Sequence, residues 1–347
     1  MPDSGLDQSG RADEAIHVAG AYFDSGNYER AREVLRRSLA EQPNDPVLLA
    51  QHARADFLLD NYSSAAWGAC AALSAAPEDE MAMRIYALSL DGLGRGYEAL
   101  WMAWRTVIAH PNEPLAHRLY ARLLQKSRQF SSALLAVDEA LRLNPTSVDT
   151  LLLRGSILHD LGRIAESDAS YRQALTLDPG NAEALNNIGV NRLQSGKFAP
   201  ALRGFLGAAG VDPTLGDLAR RNVGVVVAKV LKRMTPVAAL LGLLVVFVGA
   251  AHGHGGSTVA LRVIVGLVTL ALVAILGWLL RAIPRRVLVS IFRGRGFVAA
   301  RMVHAVLAAA LGAVVAAFGG LAWTIPAAVV LIVVGLILVR VGLTIGS

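Results

Sequence analysis

The sequence predicts an all-α chain in two parts, an array of stacked helix pairs followed by four membrane-spanning helices. Three observations predict it. Six prolines, Pro43, Pro77, Pro111, Pro145, Pro179 and Pro213, recur every 34 residues without slippage. Small residues recur in phase with them. Beyond the last proline lie four apolar stretches, at about 236–252, 258–280, 302–320 and 325–345.

A fixed period of this length marks a stacked repeat. With proline as the thirty-second position, the units are 12–45, 46–79, 80–113, 114–147, 148–181 and 182–215. The eighth position reads Ala19, Ala53, Ala87, Ala121, Gly155 and Gly189, and the twentieth reads Ala31, Ala65, Ala99, Ala133, Ser167 and Ala201. Two helices of one unit cross there and leave no room for larger side chains. Position 17 carries Tyr28, Tyr62, Phe130, Ile164 and Phe198; the third unit departs, with Gly96 there and Tyr97 one residue later. Each proline ends a second helix, because it lacks an N–H and clashes with the preceding turn.

These in-phase units resemble the tetratricopeptide-repeat family across residues 12–215. The resemblance implies helix–turn–helix units wound into a right-handed superhelix whose concave side binds peptides or protein surfaces. Each unit buries its apolar face only against neighbours. The family names a binding architecture and not a ligand.

Around the array, residues 1–11 are polar and short and are expected to be disordered, with no apolar run of a cleavable signal peptide. Residues 216–234 read as one further helix, capping or linking, with Asp217 near its positive end and Lys229, Lys232 and Arg233 at its negative end. Leu218, Val223, Val226, Val227 and Val230 offer a stripe to cover the last unit. The remainder, 235–347, is expected to be a transmembrane domain, each stretch approaching or exceeding the ~20 residues that cross a bilayer core.

Charge gives these stretches a direction. From Thr235 onward the chain has eight arginines and no Lys, Asp or Glu, whereas charges nearly cancel before it. The net charge of +6 therefore reflects the apolar half and does not point to nucleic acid. Lys229, Lys232 and Arg233 precede the first span, and Arg281, Arg285, Arg286, Arg293, Arg295 and Arg301 fill the connection between the second and third. The other two connections have neither Lys nor Arg. Basic loops stay on the cytoplasmic side, so a multi-pass inner (plasma) membrane protein with the array and both termini in the cytoplasm is expected. Residues 285–301 mix Arg with Val, Leu, Ile and Phe, which suits a segment lying on anionic headgroups of the lipid bilayer; a solvated loop is the alternative. Arg outnumbers Lys 29 to 4, a bias common in high-GC bacterial genomes.

Chemistry-bearing motifs are scarce. No phosphate loop, nucleophile elbow or zinc-protease motif occurs, so the expected function is not enzymatic and no cofactor is implied. His252 and His254 on a glycine-rich connection are too few to close a metal site. The single cysteine, Cys70, reads as a small apolar filler. In the spans, Arg262 and Arg340 lie near ends from which long side chains snorkel, and His304 reads as a packing residue. Ala308, Gly312, Ala316 and Gly320 form a smooth stripe for close helix packing, within a bundle or between subunits.

Two surfaces are candidates for binding. In the resembled family, first-helix positions 2, 5, 9, 12 and 13 line the concave groove. Here they include Arg54, Phe57, Arg84, Arg118, Arg122 and Lys126, with Phe23 in the first unit; Asn187, at position 6 of the last unit, matches the family's common groove asparagine. A groove basic in its middle favours an acidic peptide or a carboxylate terminus; solvated, internally paired arginines are the alternative. The family's chaperone-tail clamp is absent, since its positions hold Ile16, Gly20, Gln51, Met81 and Ile85. The second surface is Trp67, Trp101 and Trp104 on second helices. They make either a convex interface or, as Ala69 and Ala103 nearby favour, indoles swung inward.

Function follows in two classes. The leading expectation is a membrane-anchored cytoplasmic scaffold that recruits protein or peptide partners to the inner leaflet. The other is a regulatory or assembly subunit of a membrane transport or envelope-biogenesis complex.

Overall fold

The computed structural model describes residues 4–212, 214, 216–253 and 257–344, with side chains from residue 10 onward. The described residues form seventeen α-helices and no strand. They divide into two compact units, Met1–Pro179 and Gly180–Ser347.

The first unit holds five helix pairs. They are α1 (Ser4–Asp24) with α2 (Tyr28–Glu41), α3 (Pro46–Leu58) with α4 (Tyr62–Ala75), and α5 (Glu80–Gly92) with α6 (Gly96–Ala109). Then come α7 (Pro114–Lys126) with α8 (Phe130–Leu143), and α9 (Val148–Asp160) with α10 (Ile164–Leu177). Residues 4–11, expected to be disordered, are instead the first turns of α1. Extending a helix already nucleated by its packed end costs little, and no proline interrupts the stretch.

Each unit is punctuated at the same three places. Second helices stop two residues before the proline, and the pre-proline residue leaves helical geometry, as at Gln42 (φ −131°, ψ 72°) and Asn144 (φ −138°, ψ 88°). The next first helix starts on a side-chain cap in four units, the exception being α7, whose Glu113 makes none. Asp45 Oδ1 accepts from the Leu48 N–H at 2.8 Å, Asp79 Oδ1 from Ala82 N–H at 2.7 Å and Ser147 Oγ from Thr150 N–H at 3.4 Å. Pro46 and Pro114 take the first helical position, where a missing N–H does no harm. The third place is the turn inside each unit, where position 15 is left-handed. Gly26, Gly94 and Gly162 sit there at φ +71°, +77° and +74°, but Asp60 and Arg128 occupy it at +59° and +60°. A side chain in that region costs about 1 kcal/mol.

Packing inside a pair is set by size at two facing positions. The position-8 and position-20 alanines are completely buried from Ala19 to Ala133. In the fifth unit the ring of Tyr171 lies over Gly155, where an added Cβ would stand 2.5 Å from Cε1. The aromatic ring thus requires glycine opposite it, whereas units with Ala69 or Ala103 at the same place carry alanine.

The second unit begins with the sixth pair, α11 (Ala182–Gln194) and α12 (Phe198–Val211). The same exchange recurs, with Phe205 over Gly189; Gly204 meets the backbone of α11, its ideal Cβ 2.9 Å from the Leu185 carbonyl oxygen. Pro213 lies outside the described residues. Next comes α13 (Gly216–Gly253), 38 residues long and therefore about 57 Å. The boundary expected at 234/235 falls inside it, so the capping segment and the first apolar stretch are one helix. Pro236 deprives the Lys232 carbonyl of its donor without ending the helix. Beside it, the Thr235 hydroxyl donates to the Leu231 carbonyl at 2.8 Å.

The rest of this unit is α14 (Val259–Ala282), α15 (Arg285–Gly294), α16 (Gly296–Phe318) and α17 (Thr324–Thr344). α13 packs against α12, α14, α16 and α17. One continuous apolar cluster runs from Leu202 and Phe205 through Val223, Val227 and Val230 to Leu241, Leu272 and Leu331. Of the proposed covering stripe, Val223, Val226, Val227 and Val230 are buried and Leu218 is half-buried. The small-residue stripe packs inside this unit: Gly312 faces Thr269 and Leu241, and Gly320, beyond the end of α16, approaches Gly249.

Four of these helices, α13, α14, α16 and α17, are long and apolar enough to cross a membrane. Their outward faces expose Leu240, Phe247, Leu267, Leu270, Val306, Val330 and Ile337, the reverse of a water-soluble surface.

Candidate functional site

First helices stack side by side in the first unit and carry the basic residues read from the sequence. Their charges are largely answered from within the chain. Arg84 Nε donates to Glu80 at 2.6 Å, Arg118 to Asp149 at 2.6 Å, and the Lys126 ammonium to Asp91 at 2.5 Å. The Arg118 and Lys126 pairs join neighbouring repeats, so they stitch the array as well as consume charge. Arg54 spreads its guanidinium over Phe23, 4.2 Å from the ring centre, and burial together with the charge of Arg84 holds its pKa below the usual arginine range. Arg122 is exposed. Arg54 and Arg122 are the groove cations that make no salt bridge among the described residues, with Asp24 the acid that attracts Arg54 from farther off. Phe57 is half-buried, tilted against Tyr62 with ring centres 5.7 Å apart, so it serves the core more than the surface. Asn187 belongs to the second unit, where Asn186 Nδ2 donates to its side-chain oxygen at 3.2 Å.

The tryptophan surface corrects the reading that turned the indoles inward. Trp67, Trp101 and Trp104 are 78%, 47% and 45% exposed, and Leu135 and Ile108 are exposed near them in sequence. The space beside Ala69 is already closed by Ala53 and Ile85 with Phe57 and Met81. Beside Ala103, Met83, Met102 and Leu119 do the same. Small residues at position 24 let the helices approach, and these neighbours occupy the space an inward indole would need. Arg105 lies over Trp101, 5.0 Å from the ring centre, leaving most of this face apolar. Cys70, read as a filler, is exposed on the same helix as Trp67.

Two arginines in the apolar half are placed differently from the sequence reading, and His304 is buried among packed side chains as expected. Arg262 does not merely snorkel: its Nη2 donates to the carbonyls of Ala316 and Ala317 at 3.0 and 2.6 Å, at the C-terminal end of α16. Arg301, assigned to a connection, lies inside α16 and is 2% exposed. Its Nη2 donates to the Leu338 carbonyl at 3.3 Å, near the end of α17, and its guanidinium lies over Phe297. His304, one turn on, shares Nε2 with the Leu331 carbonyl at 3.0 Å. Gly335 and Gly342 of α17 make the room for these two side chains. With no carboxylate after Asp217, the negative ends of two helices take the place of acidic partners. His252 is exposed at the end of α13, and His254 lies outside the described residues.

The recurring left-handed residue at position 15 was visible as glycine in four of six units and masked in two by Asp60 and Arg128. The burial of Arg301 had no signal in composition, because it depends on glycines forty residues away.

Comparison with known proteins places these features. Residues 12–55 match the family model described as Tetratricopeptide repeat, and residues 155–196 that described as TPR repeat. No curated protein matches the chain. Among solved structures, the chain is similar to that described as "Functional Characterization of Pseudomonas Aeruginosa pilF", at 17% identity and TM-score 0.51 over 60% of this chain and 94% of that one. That likeness is one of fold. YrrB, described as a TPR protein with an unusual peptide-binding site, matches at 20% identity and TM-score 0.42 over 53% of this chain and 94% of that one. Yeast Tom70 matches at 18% identity and TM-score 0.48 over 59% of this chain and 44% of that one.

Proposed function

We propose that this chain, a tetratricopeptide-repeat protein, is a membrane-anchored scaffold that holds protein or peptide partners at the cytoplasmic face of a membrane. Tetratricopeptide repeats are protein-interaction modules, and the four long apolar helices are compatible with membrane anchoring. The observation that carries the reading is the presence of both on one chain, with basic residues flanking the first apolar stretch and joining the second to the third. On that charge rule the array and both termini are cytoplasmic. The partner segment carries carboxylates, one for Arg54 and one for Arg122, since the other groove cations are already paired. Catalysis has no role in this reading.

The test is capture by crosslinking of the full-length chain in its own membranes, with identification of the bound proteins. Arg54→Glu with Arg122→Glu is expected to reduce capture at least tenfold while helicity and melting temperature stay near wild type. Arg172→Glu with Arg203→Glu, on second helices, is expected to change little. Capture is also expected to weaken from low to near-physiological salt, as Debye screening shortens to about 8 Å. Should the groove variant still capture the same protein, the carboxylate reading fails and Trp67, Trp101 and Trp104 become the contact surface to mutate. Reporters fused before Ala12 and after Ser347 test sidedness: an outside signal from either sinks the topology.

A specific observation favours the second reading, a regulatory or assembly subunit of a membrane complex. The last helix pair and the apolar helices share one core through α13. Partner capture that strictly requires the apolar helices, or a flux that depends on them, would select it.

A further inference from the structure

We propose that a pocket between the start of α13 and the end of α15 binds a phosphate group through Arg220, Arg221 and Arg295. From Gly216 to the end of the chain there are thirteen basic residues and one acid, Asp217. Many of these cations stand apart from one another, but three guanidinium groups gather around a single concavity of about 280 Å³, enough for a phosphate and the atoms attached to it.

The pocket is built from both sides. Arg220 and Arg221 lie on the second turn of α13, and Gly224 follows one turn later. Because Gly224 lacks a Cβ, the Arg295 guanidinium packs flat against the helix there. An ideal Cβ would stand 3.2 Å from its Nη1 and 3.3 Å from its Cζ. Arg295 itself is the residue that closes α15 and opens α16. Ser290 of α15 completes the rim.

Charge decides what the pocket takes. Asp217 is engaged by Arg220 at 3.0 Å. Arg221 and Arg295 have no acidic partner among the described residues, so three cations face one carboxylate. Like charges converging on one hollow repel unless an anion joins them. A phosphate offers several oxygens, and guanidinium groups grip it bidentately with directional, charge-assisted hydrogen bonds. A carboxylate offers only two oxygens and cannot bridge guanidinium groups from two helices equally well.

Two sources carry that chemistry. Arg295 lies three residues before the buried Val298 of α16, about 4.5 Å along the helix, near where the apolar run begins. If α16 crosses a bilayer, that is headgroup depth, and the ligand is an anionic lipid. A soluble phosphate ester approaching from the aqueous side is the other source. The proposal does not depend on which partner the repeat groove takes.

Thermal unfolding of the full-length chain in neutral detergent tests it, with two titrations at matched ionic strength. One uses short-chain phosphatidylglycerol against short-chain phosphatidylcholine, and the other uses inorganic pyrophosphate. Wild type is expected to show a saturable rise in midpoint with one of the two phosphate probes. Saturation by phosphatidylglycerol alone assigns the lipid headgroup; saturation by pyrophosphate assigns a soluble ester. Arg221→Gln with Arg295→Gln is expected to weaken that response at least tenfold, and Gly224→Val to do the same by taking the space of the Arg295 guanidinium. Arg221→Gln alone changes only an exposed side chain and is expected to give a partial loss, so the test survives if Gly224→Val misfolds. Arg285→Gln with Arg286→Gln, exposed on the same α15, is expected to leave it unchanged. No saturation by either probe overturns the proposal. So does an equal loss from the Arg285 and Arg286 pair, which would mean diffuse surface charge.

Discussion

A fragment comprising residues 12–212 is expected to be about 3–6 kcal/mol less stable than one comprising 12–234. Leu202 and Phe205 of α12 are buried in the same cluster as Val223, Val226, Val227 and Val230 of α13. Removing α13 strips one wall from both large side chains and from Ala201. Full burial of a Leu or Phe contributes about 1.5–3 kcal/mol each, and the lost wall accounts for much of that for two side chains and their partners. Urea unfolding and size-exclusion chromatography of the two fragments check it. The shorter is expected to melt earlier and to self-associate. The longer still exposes Leu231 and Met234, which the apolar helices cover in the full chain, so a mild tendency to dimerise is expected of it too. Equal stability of the two fragments would falsify the covering role of α13.

The second large effect lies in the fifth unit. Gly155→Ala is expected to cost about 1–3 kcal/mol, because its new Cβ would press into the Tyr171 ring, itself fully buried. Tyr171→Ala alone leaves a cavity and costs about 3–5 kcal/mol. The double variant recreates the alanine-against-alanine pairing of the second and third units, Ala53 with Ala69 and Ala87 with Ala103. Its cost is therefore expected to fall short of the sum of the single variants by at least about 1 kcal/mol. A denaturant double-mutant cycle measures the shortfall. Simple additivity would mean that ring and glycine do not set each other's size, and the size-exchange account of the repeats would have to be abandoned.

That pair shows how far the sequence alone reaches. The helix pairs, their stops and the small crossing residues were legible because each rests on one local rule repeated at fixed spacing: a proline that cannot continue a helix, a glycine or alanine where two backbones meet. The four apolar stretches were legible for the same reason, being contiguous. What escaped depends on residues distant in sequence. Trp67 and Trp101 turn outward because Ile85 and Leu119, each from the following unit, already fill the space they were expected to take. Arg84 and Arg118 looked available to a ligand until Glu80 and Asp149 were found beside them, one a turn away and one in the next repeat. Arg301 is buried in a helix end because Gly342 lets it in. The 34-residue period names neighbours along the chain, and side-chain ion pairs are decided by geometry that no period records.

The unbroken run of α13 makes its two halves a single shaft with a fixed phase. Val223, Val226, Val227 and Val230 face the last helix pair, while Ala238, Leu241, Val245 and Val248 face the apolar helices. Both stripes are pinned to one angular register. One residue inserted after Lys229 would turn the lower stripe by about 100° and advance it by about 1.5 Å, so that only one of the two faces meets its partners. Seven inserted residues would bring the faces back within about 20° while lengthening the shaft by about 10 Å. Stability measured across such a series is expected to oscillate with the helical pitch rather than decline steadily. A torque applied to the last helix pair would accordingly reach the far end of the shaft as rotation.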